Sequence, residues 1–435
     1  MIDILDRALS GQLTKEQVEA IVAKYQNESG LTSAEVRRII TAALANQLTA
    51  SQVKELLLEQ SNTWETKLQE IIDENEATQK ELNEKIDSLS ELLNKYLGSG
   101  EEVVTVKTPE DLQNAITAAE NGKAFTIKLT EDMVVVAESG TGLTIDENKI
   151  ITLDISGVTL DLNTVKHGIY NKGVLSIVGD GNSVLDVSGI GSGYAEGVMG
   201  ITNMGTLEIR DVKLVAPDVA DFGKNKFALY SHTNANLIAK NIEITGPNGV
   251  NNFCANSTLR NCKINVEGTA ISNSGGYITV NGGELSRSST ATAAYVVNNF
   301  YDATSKFPAY SVYNDVSIKG QYGAIFGQYG NMVLNDCTVE TNKSINGNRA
   351  IYCAGHYAPT FVTVNGGTVS GTKAMVVGNA IDGGKKYTGT LEFTNGTVDG
   401  EISVDCRTST NAPDGCGKFI NKSGQDLSDK IVYVN

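Results

Sequence analysis

Hydrophobic positions follow two different periods along this chain. Up to about residue 98 they recur every three or four residues, and after it they alternate with polar residues in short runs. Near the start, "LTKEQV" from Leu13, "LTSAEV" from Leu31 and "LTASQV" from Leu48 each place a Thr three residues ahead of a Gln or Glu. That spacing is a capping box, flanked by a Leu and a Val that supply a hydrophobic staple. Helices are therefore predicted to begin at Thr14, Thr32 and Thr49, within a helical attachment domain spanning 1–62. From Trp64 the seam runs through Leu68, Ile71, Asn75, Thr78, Leu82, Ile86, Leu89, Leu93 and Tyr96. Steps of three and four, with one inserted step, predict a coiled-coil stalk over 63–98, about 50 Å long at the helical rise. Asn75 and Thr78 would fix register and strand number in that seam. A single helix folding back on the first domain is the alternative.

The remainder, 99–435, is repetitive. "FVTVNGGTVSG" from Phe361 has near-copies in "YITVNGGELS" from Tyr277 and "LEFTNGTVDG" from Leu391. Aligning on this phrase gives a column of turn formers: Gly157, Asp180, Asp211, Asn241, Asn261, Gly282, Asp315, Asp336, Gly366 and Asn395. Between its members lies a second column, with "HGIYNKG" from His167, "GAIFGQY" from Gly323 and "RAIYCAG" from Arg349 among its phrases. Short alternating strands with turn formers at fixed offsets predict a solenoid of stacked coils, each with at least two strands. At its start, "VVTVKTPEDLQNAITAAENGKAFTIKL" reads as strand, helix and strand. Thr108 is the predicted N-cap, Pro109 stands at the first helical position, and the helix would cover the open end of the stack.

Composition sharpens this picture at a few points. The chain has 44 Gly but only 6 Pro, and a net charge of -16 with a pI near 4.8. Such an acidic surface repels phosphate backbones and anionic membranes, so no nucleic-acid partner is expected. No run of about 18 apolar residues occurs, and no membrane insertion is expected. Six cysteines without a CxxC pair predict neither a disulfide framework nor a zinc site, and reduced thiols are expected. Cys262 and Cys337 stand at column positions held elsewhere by Val and Ile, as small buried residues would. Cys353 shares the column of Asn171, Asn203 and Asn273. Cys406 and Cys416 bracket "RTSTNAPDG", and their pairing is left open, as is the segment from Cys416 to the end, either a last coil or a separate cap.

With the capping segment and both columns in view, residues 102 to 400 resemble the pectin-lyase-like right-handed parallel β-helix superfamily, specifically the trimeric spikes and fibres of bacteriophages. The resemblance implies a homotrimer docked to a capsid or tail protein through 1–62, with the β-helix presented to a host-surface glycan. It also implies a virion component made in the host cytoplasm without a signal peptide. A glycan-depolymerising tailspike and a bacterial surface adhesin are the competing functions.

Catalytic signals are sparse. Asp315 and Asp336 share a column in successive coils, so their carboxylates could lie within the spacing that glycosidases use. The same column also holds Asn241, Asn261 and Gly366, and a structural turn role is the preferred reading. No lyase-type Asp cluster with an Arg base is found. His167, His232 and His356 lack ligand partners at useful spacing, and "GIGSGYAEG" from Gly189 lacks the Lys-Ser or Lys-Thr of a phosphate loop. No metal and no cofactor is expected. The candidate glycan or receptor patch is aromatic: Tyr295, Tyr301, Asp302, Phe307, Tyr310, Tyr322, Tyr329, Tyr352, His356 and Tyr357. Stacking of these rings in the core or at a trimer interface is the slightly preferred alternative.

Overall fold

The computed structural model describes residues 102–434, except 138–139, 165, 189–198, 218–226, 292–294, 301–307, 356–358, 383–384 and 407–415. The helices expected over 1–62, the heptad seam over 63–98 and the 189–197 loop lie outside the described residues.

The described chain is mostly β-strand, wound as stacked parallel strands in the manner of a β-helix. Each coil contributes to three parallel sheets, one more than the minimum the repeats required. The first sheet starts at Leu143–Ile145 and passes through His167–Asn171, Met199–Asn203 and further short strands to Ile431–Val434. The second starts at Glu102–Val106 and Ala124–Leu129 and ends at Lys418–Asn421. The third starts at Met133–Ala137, paired to Thr159–Thr164. Thr360–Asp382 and Lys385–Asp405 each run through more than one sheet. Their registers ascend together from Thr360 with Gly389 to Val377 with Val404, and reverse only where 379–382 meets 385–388. The segment from Lys418 onward pairs with 390–393 and 402–405 as a further coil, which answers the question the sequence left open.

Alternation explains the core. Along the second sheet, Ile127, Leu153, Ile177 and Ile209 are register neighbours, and so are Leu259, Val280, Tyr313 and Leu334. These inward residues are at most 2% exposed. Because strand side chains alternate between faces, a parallel register stacks like on like from coil to coil. The small buried cysteines follow the same rule: burial pushes the thiols of Cys262 and Cys337 up to about 11 and that of Cys353 up to about 12.

The first end of the core is covered by the helix Pro109–Ala118. The Thr108 side chain accepts from the Asp111 amide at 3.1 Å, as the cap motif predicts, and Leu112, Ala115 and Ile116 are buried. Lys149 Nζ donates to the carbonyls of Thr117 and Ala119, which have no partner within the helix.

Two kinds of corner join the sheets. Between the second and third, one residue takes left-handed backbone: Asp211, Asn241, Asn261, Asp315 and Asp336 have φ between 50° and 56°. Two members of the predicted column shift by a residue. Gly181 rather than Asp180 has positive φ, and Gly396 rather than Asn395. Asp180 instead folds its carboxylate onto the amides of Asn182 and Ser183, which holds that carboxyl below its ordinary pKa.

Between the first and second sheets, polar side chains turn inward and bond to one another. Asn171 Nδ2 donates to Asn203 Oδ1 at 2.9 Å, and Asn252 Nδ2 donates to Asn273 Oδ1 at 2.9 Å. Register places Ser231, Asn299, Gly327 and Cys353 in the same column. A second ladder lies on the outer rim of the second sheet: Asn314 donates to Asn281, Asn335 to Asn314 and Asn365 to Asn335, at 2.7, 2.7 and 3.0 Å. Cys406 and Cys416 are joined in a disulfide, so the expectation of reduced thiols holds only for Cys254, Cys262, Cys337 and Cys353. Spacing could not decide this, because the last coil brings the two ends of the 407–415 segment together.

Candidate functional site

Chemistry gathers on the outer face of the first sheet. The fourth residue of each second-column phrase points outward, and register stacks Tyr170, Thr202, Tyr230, Asn251, Ser272, Asn298, Phe326 and Tyr352 in one line. A neighbouring line holds Tyr295, Gly323, Arg349 and Lys373.

At the far end, the rings condense into a stack. The Tyr295 and Phe326 centroids lie 4.9 Å apart, and Phe326 and Tyr352 lie 5.1 Å apart with their planes 2° from parallel. Arg349 rests over the Tyr352 ring at 4.7 Å and bonds to the Tyr295 hydroxyl. Tyr295 can lie flat only because Gly323 is beneath it; a Cβ there would overlap the ring. Burial pushes the Tyr295 phenol up to about 12, and the adjacent Arg349 cation pulls in the opposite direction.

In the middle of the face the side chains are polar. Asn251 is 7% exposed and Ser272 8%. Asn251 Oδ1 and Asn298 Oδ1 accept no hydrogen bond. Two coils separate them, about 10 Å along the stack. A buried amide oxygen without a donor costs about 1–3 kcal/mol. An incoming hydroxyl would supply the missing donor at both.

The predicted patch is divided by the fold. Tyr295, Tyr322 and Tyr352 are brought together on this face, with the Tyr322 carbonyl accepting from the Arg349 amide at 2.9 Å and its phenol beside Tyr295. Tyr310 goes to the second sheet, stacked at 5.1 Å on Tyr277, whose ring is 61% exposed. Tyr329 sits half-buried at the corner between the two sheets. Tyr301, Asp302, Phe307, His356 and Tyr357 lie outside the described residues. The rings that are described largely stack on each other on the outer faces, so much of their faces is occupied. Phe326, Arg349, Asn251 and Asn298 were not singled out from sequence. The line-up of the fourth position in the repeated phrases is the signal that finds Phe326.

Asp315 and Asp336 are exposed corner residues with φ of 54° and 51°. Their amides donate to Asn335 O at 2.9 Å and Asn365 O at 3.0 Å, so both serve the turn. A different carboxylate pair is formed by register: Asp161 faces Asp186 on adjacent strands of the third sheet. Burial first, and then Asp186, raises the Asp161 pKa. Its ionisation therefore opposes folding, and the loss grows as pH rises through the folded-state value. Asp161→Asn is expected to raise the thermal midpoint at pH 7. The gain should vanish once pH falls below the ordinary carboxylate range; an equal gain at pH 3 would show that charge is not its source.

His167 is half-buried at the start of the strand His167–Asn171. Its Nδ1 is 2.9 Å from Thr202 Oγ1, and burial, then Lys166, lowers its pKa. Among the described residues no group of three or more His, Cys, Asp or Glu could hold a metal. No protein-family model matches the chain, and no curated protein matches it either.

Proposed function

We propose that this chain is an elongated virion appendage of the phage fibre or spike type. In this reading it docks to a capsid or tail protein through 1–62 and trimerises through 63–98. Its right-handed parallel β-helix then adheres to a host-surface glycan. The observation that carries the adhesive part is the face of the first sheet, where unpaired amide oxygens lie in line with an aromatic and guanidinium cluster. Sugars present what such a face lacks: hydroxyl donors for the amides and apolar C–H surfaces for the rings. Adhesion without cleavage is the leading form, because Asp315 and Asp336, the two carboxylates considered for catalysis, are used by the corner.

The test is binding of the full chain to a panel of capsular, wall and lipopolysaccharide glycans, alongside an assay for new reducing ends. Retention on at least one glycan is expected, without release of reducing ends. The double variant Asn251→Ala, Asn298→Ala should weaken retention about tenfold or more, the equivalent of one good hydrogen bond, with no fall in thermal midpoint. A chain that binds nothing on the panel, or a double variant that binds as well as the parent, would overturn the reading. Light scattering on the same sample should give three times the chain mass.

A further inference from the structure

The described face carries a cation that pairs with no carboxylate among the described residues. Arg349 has no carboxylate within ion-pair distance among the described residues, although the chain as a whole carries a net charge of -16. Its register neighbour Lys373 differs: Glu401 lies 3.7 Å from its ammonium, and Ser403 accepts from it. The guanidinium carbon sits over the Tyr352 ring, 4.7 Å from its centroid, and one N–H is engaged by Tyr295. A guanidinium held over a ring keeps its other N–H groups in one planar fork, which matches the two oxygens of a carboxylate. An ammonium would offer no such fork.

We propose that the glycan taken by this face is acidic, and that Arg349 pairs with a sugar carboxylate while Asn298 Oδ1 accepts from a hydroxyl of the same chain. The proposal rests on the adhesive reading above and deepens it. Asn298 lies on the strand that pairs with Phe326, and Phe326 on the strand that pairs with Tyr352. The strands that carry the amide and the guanidinium are therefore two coils apart, or about 10 Å, a span that suits neighbouring sugars of one chain. Charge selects the occupant. An acidic protein repels a polyanion at long range, so an anionic ligand needs a local, unshared cation in a place where water is partly excluded. The stack of Tyr295, Phe326 and Tyr352 is such a place. A neutral glycan would need no cation there.

The experiment uses the full chain and four probes: hyaluronan oligomers, oligogalacturonate, and the carboxyl-reduced form of each, in which a hydroxymethyl group replaces the carboxylate. Calorimetry should show at least one acidic oligomer binding tenfold or more tighter than its reduced form, with affinity falling as salt rises. Arg349→Gln should erase the difference between the two forms, and Arg349→Lys should restore only part of it. Equal affinity for acidic and reduced oligomers in the parent chain would overturn the proposal and leave glycan adhesion standing. A preference that survives in Arg349→Gln would also overturn it. If none of the four probes binds, this proposal fails, and the glycan panel decides separately whether the adhesive reading fails too.

Discussion

Asn252→Ala is expected to destabilise the middle of the solenoid by about 3–5 kcal/mol, because a fully buried amide there serves several partners at once. Its Nδ2 donates to Ala255 O at 3.1 Å, Asn273 Oδ1 at 2.9 Å and Tyr277 O at 3.2 Å, and its Oδ1 accepts from Ser257 Oγ at 2.6 Å. Truncation leaves a hydroxyl, an amide oxygen and two carbonyls facing a small void. A conservative exchange sharpens the test. Asn252→Asp keeps the size but turns a donor toward three oxygens into an acceptor, so at pH 7 it should cost more than Ala. That buried carboxyl would have a raised pKa, so its penalty shrinks as pH falls through the folded-state value. Hydrogen exchange at 250–252 and 271–273 reads the loss locally, which suits a stack that need not unfold in one step. A fall in protection smaller than tenfold would mean that water replaces the amide and that the ladder contributes little.

Gly367→Ala should be at least as damaging, for a reason in the backbone rather than in polarity. Gly367 has a φ of +77°, and an added Cβ would overlap the Cys337 carbonyl oxygen and crowd Cys337 N. Left-handed backbone costs an alanine about 1–2 kcal/mol. The clash adds more, because the obstacle is the neighbouring coil and cannot rotate away. The pairing of Thr338 with Thr368 must open, and a total loss above about 4 kcal/mol is expected. Gly140→Ala is the control: nothing lies within 4 Å of its added Cβ, and the change should be within about 0.5 kcal/mol. Equal melting of the two variants would show that the coils can slide apart at Gly367.

These two positions mark the division between what the chain states openly and what it does not. Gly366 and Gly367 are legible as a turn because Asn, Asp and Gly recur in that column. Yet an added Cβ at Gly366 would meet the Asp336 side chain and one at Gly367 the Cys337 backbone, a distinction made only by the stacked coils. Asn171, Asn203 and Asn273 could be aligned from their phrases. That Asn252 completes the ladder, four partners deep, appears only when register brings Ser257 and Tyr277 beside it.

The candidate site divides in the same way. Tyr295, Tyr322 and Tyr352 were legible as an aromatic group, and the phrases from Gly323 and Arg349 already align Phe326 with Tyr352. The grouping of Tyr310 with them was an effect of closeness in sequence: Tyr295–Asn299 and Ala309–Asn314 fall on different sheets, so their rings face different ways. Arg349 gave no signal, since a lone Arg in an acidic chain is expected to find a partner. That no carboxylate among the described residues reaches it is a fact of three dimensions.

By itself, then, the sequence determined the parallel stack, the capping helix and most of the corner residues, Gly181 and Gly396 being displaced by one from the predicted column. Each of these depends on a period, or on contacts within a few residues, which a linear chain displays. The tertiary structure alone decided which outward columns share a face, which polar atoms are left without partners, and that Cys406 meets Cys416. Those outcomes depend on registers between residues some 20 to 30 positions apart, and a one-residue slip would turn every such side chain to the opposite face.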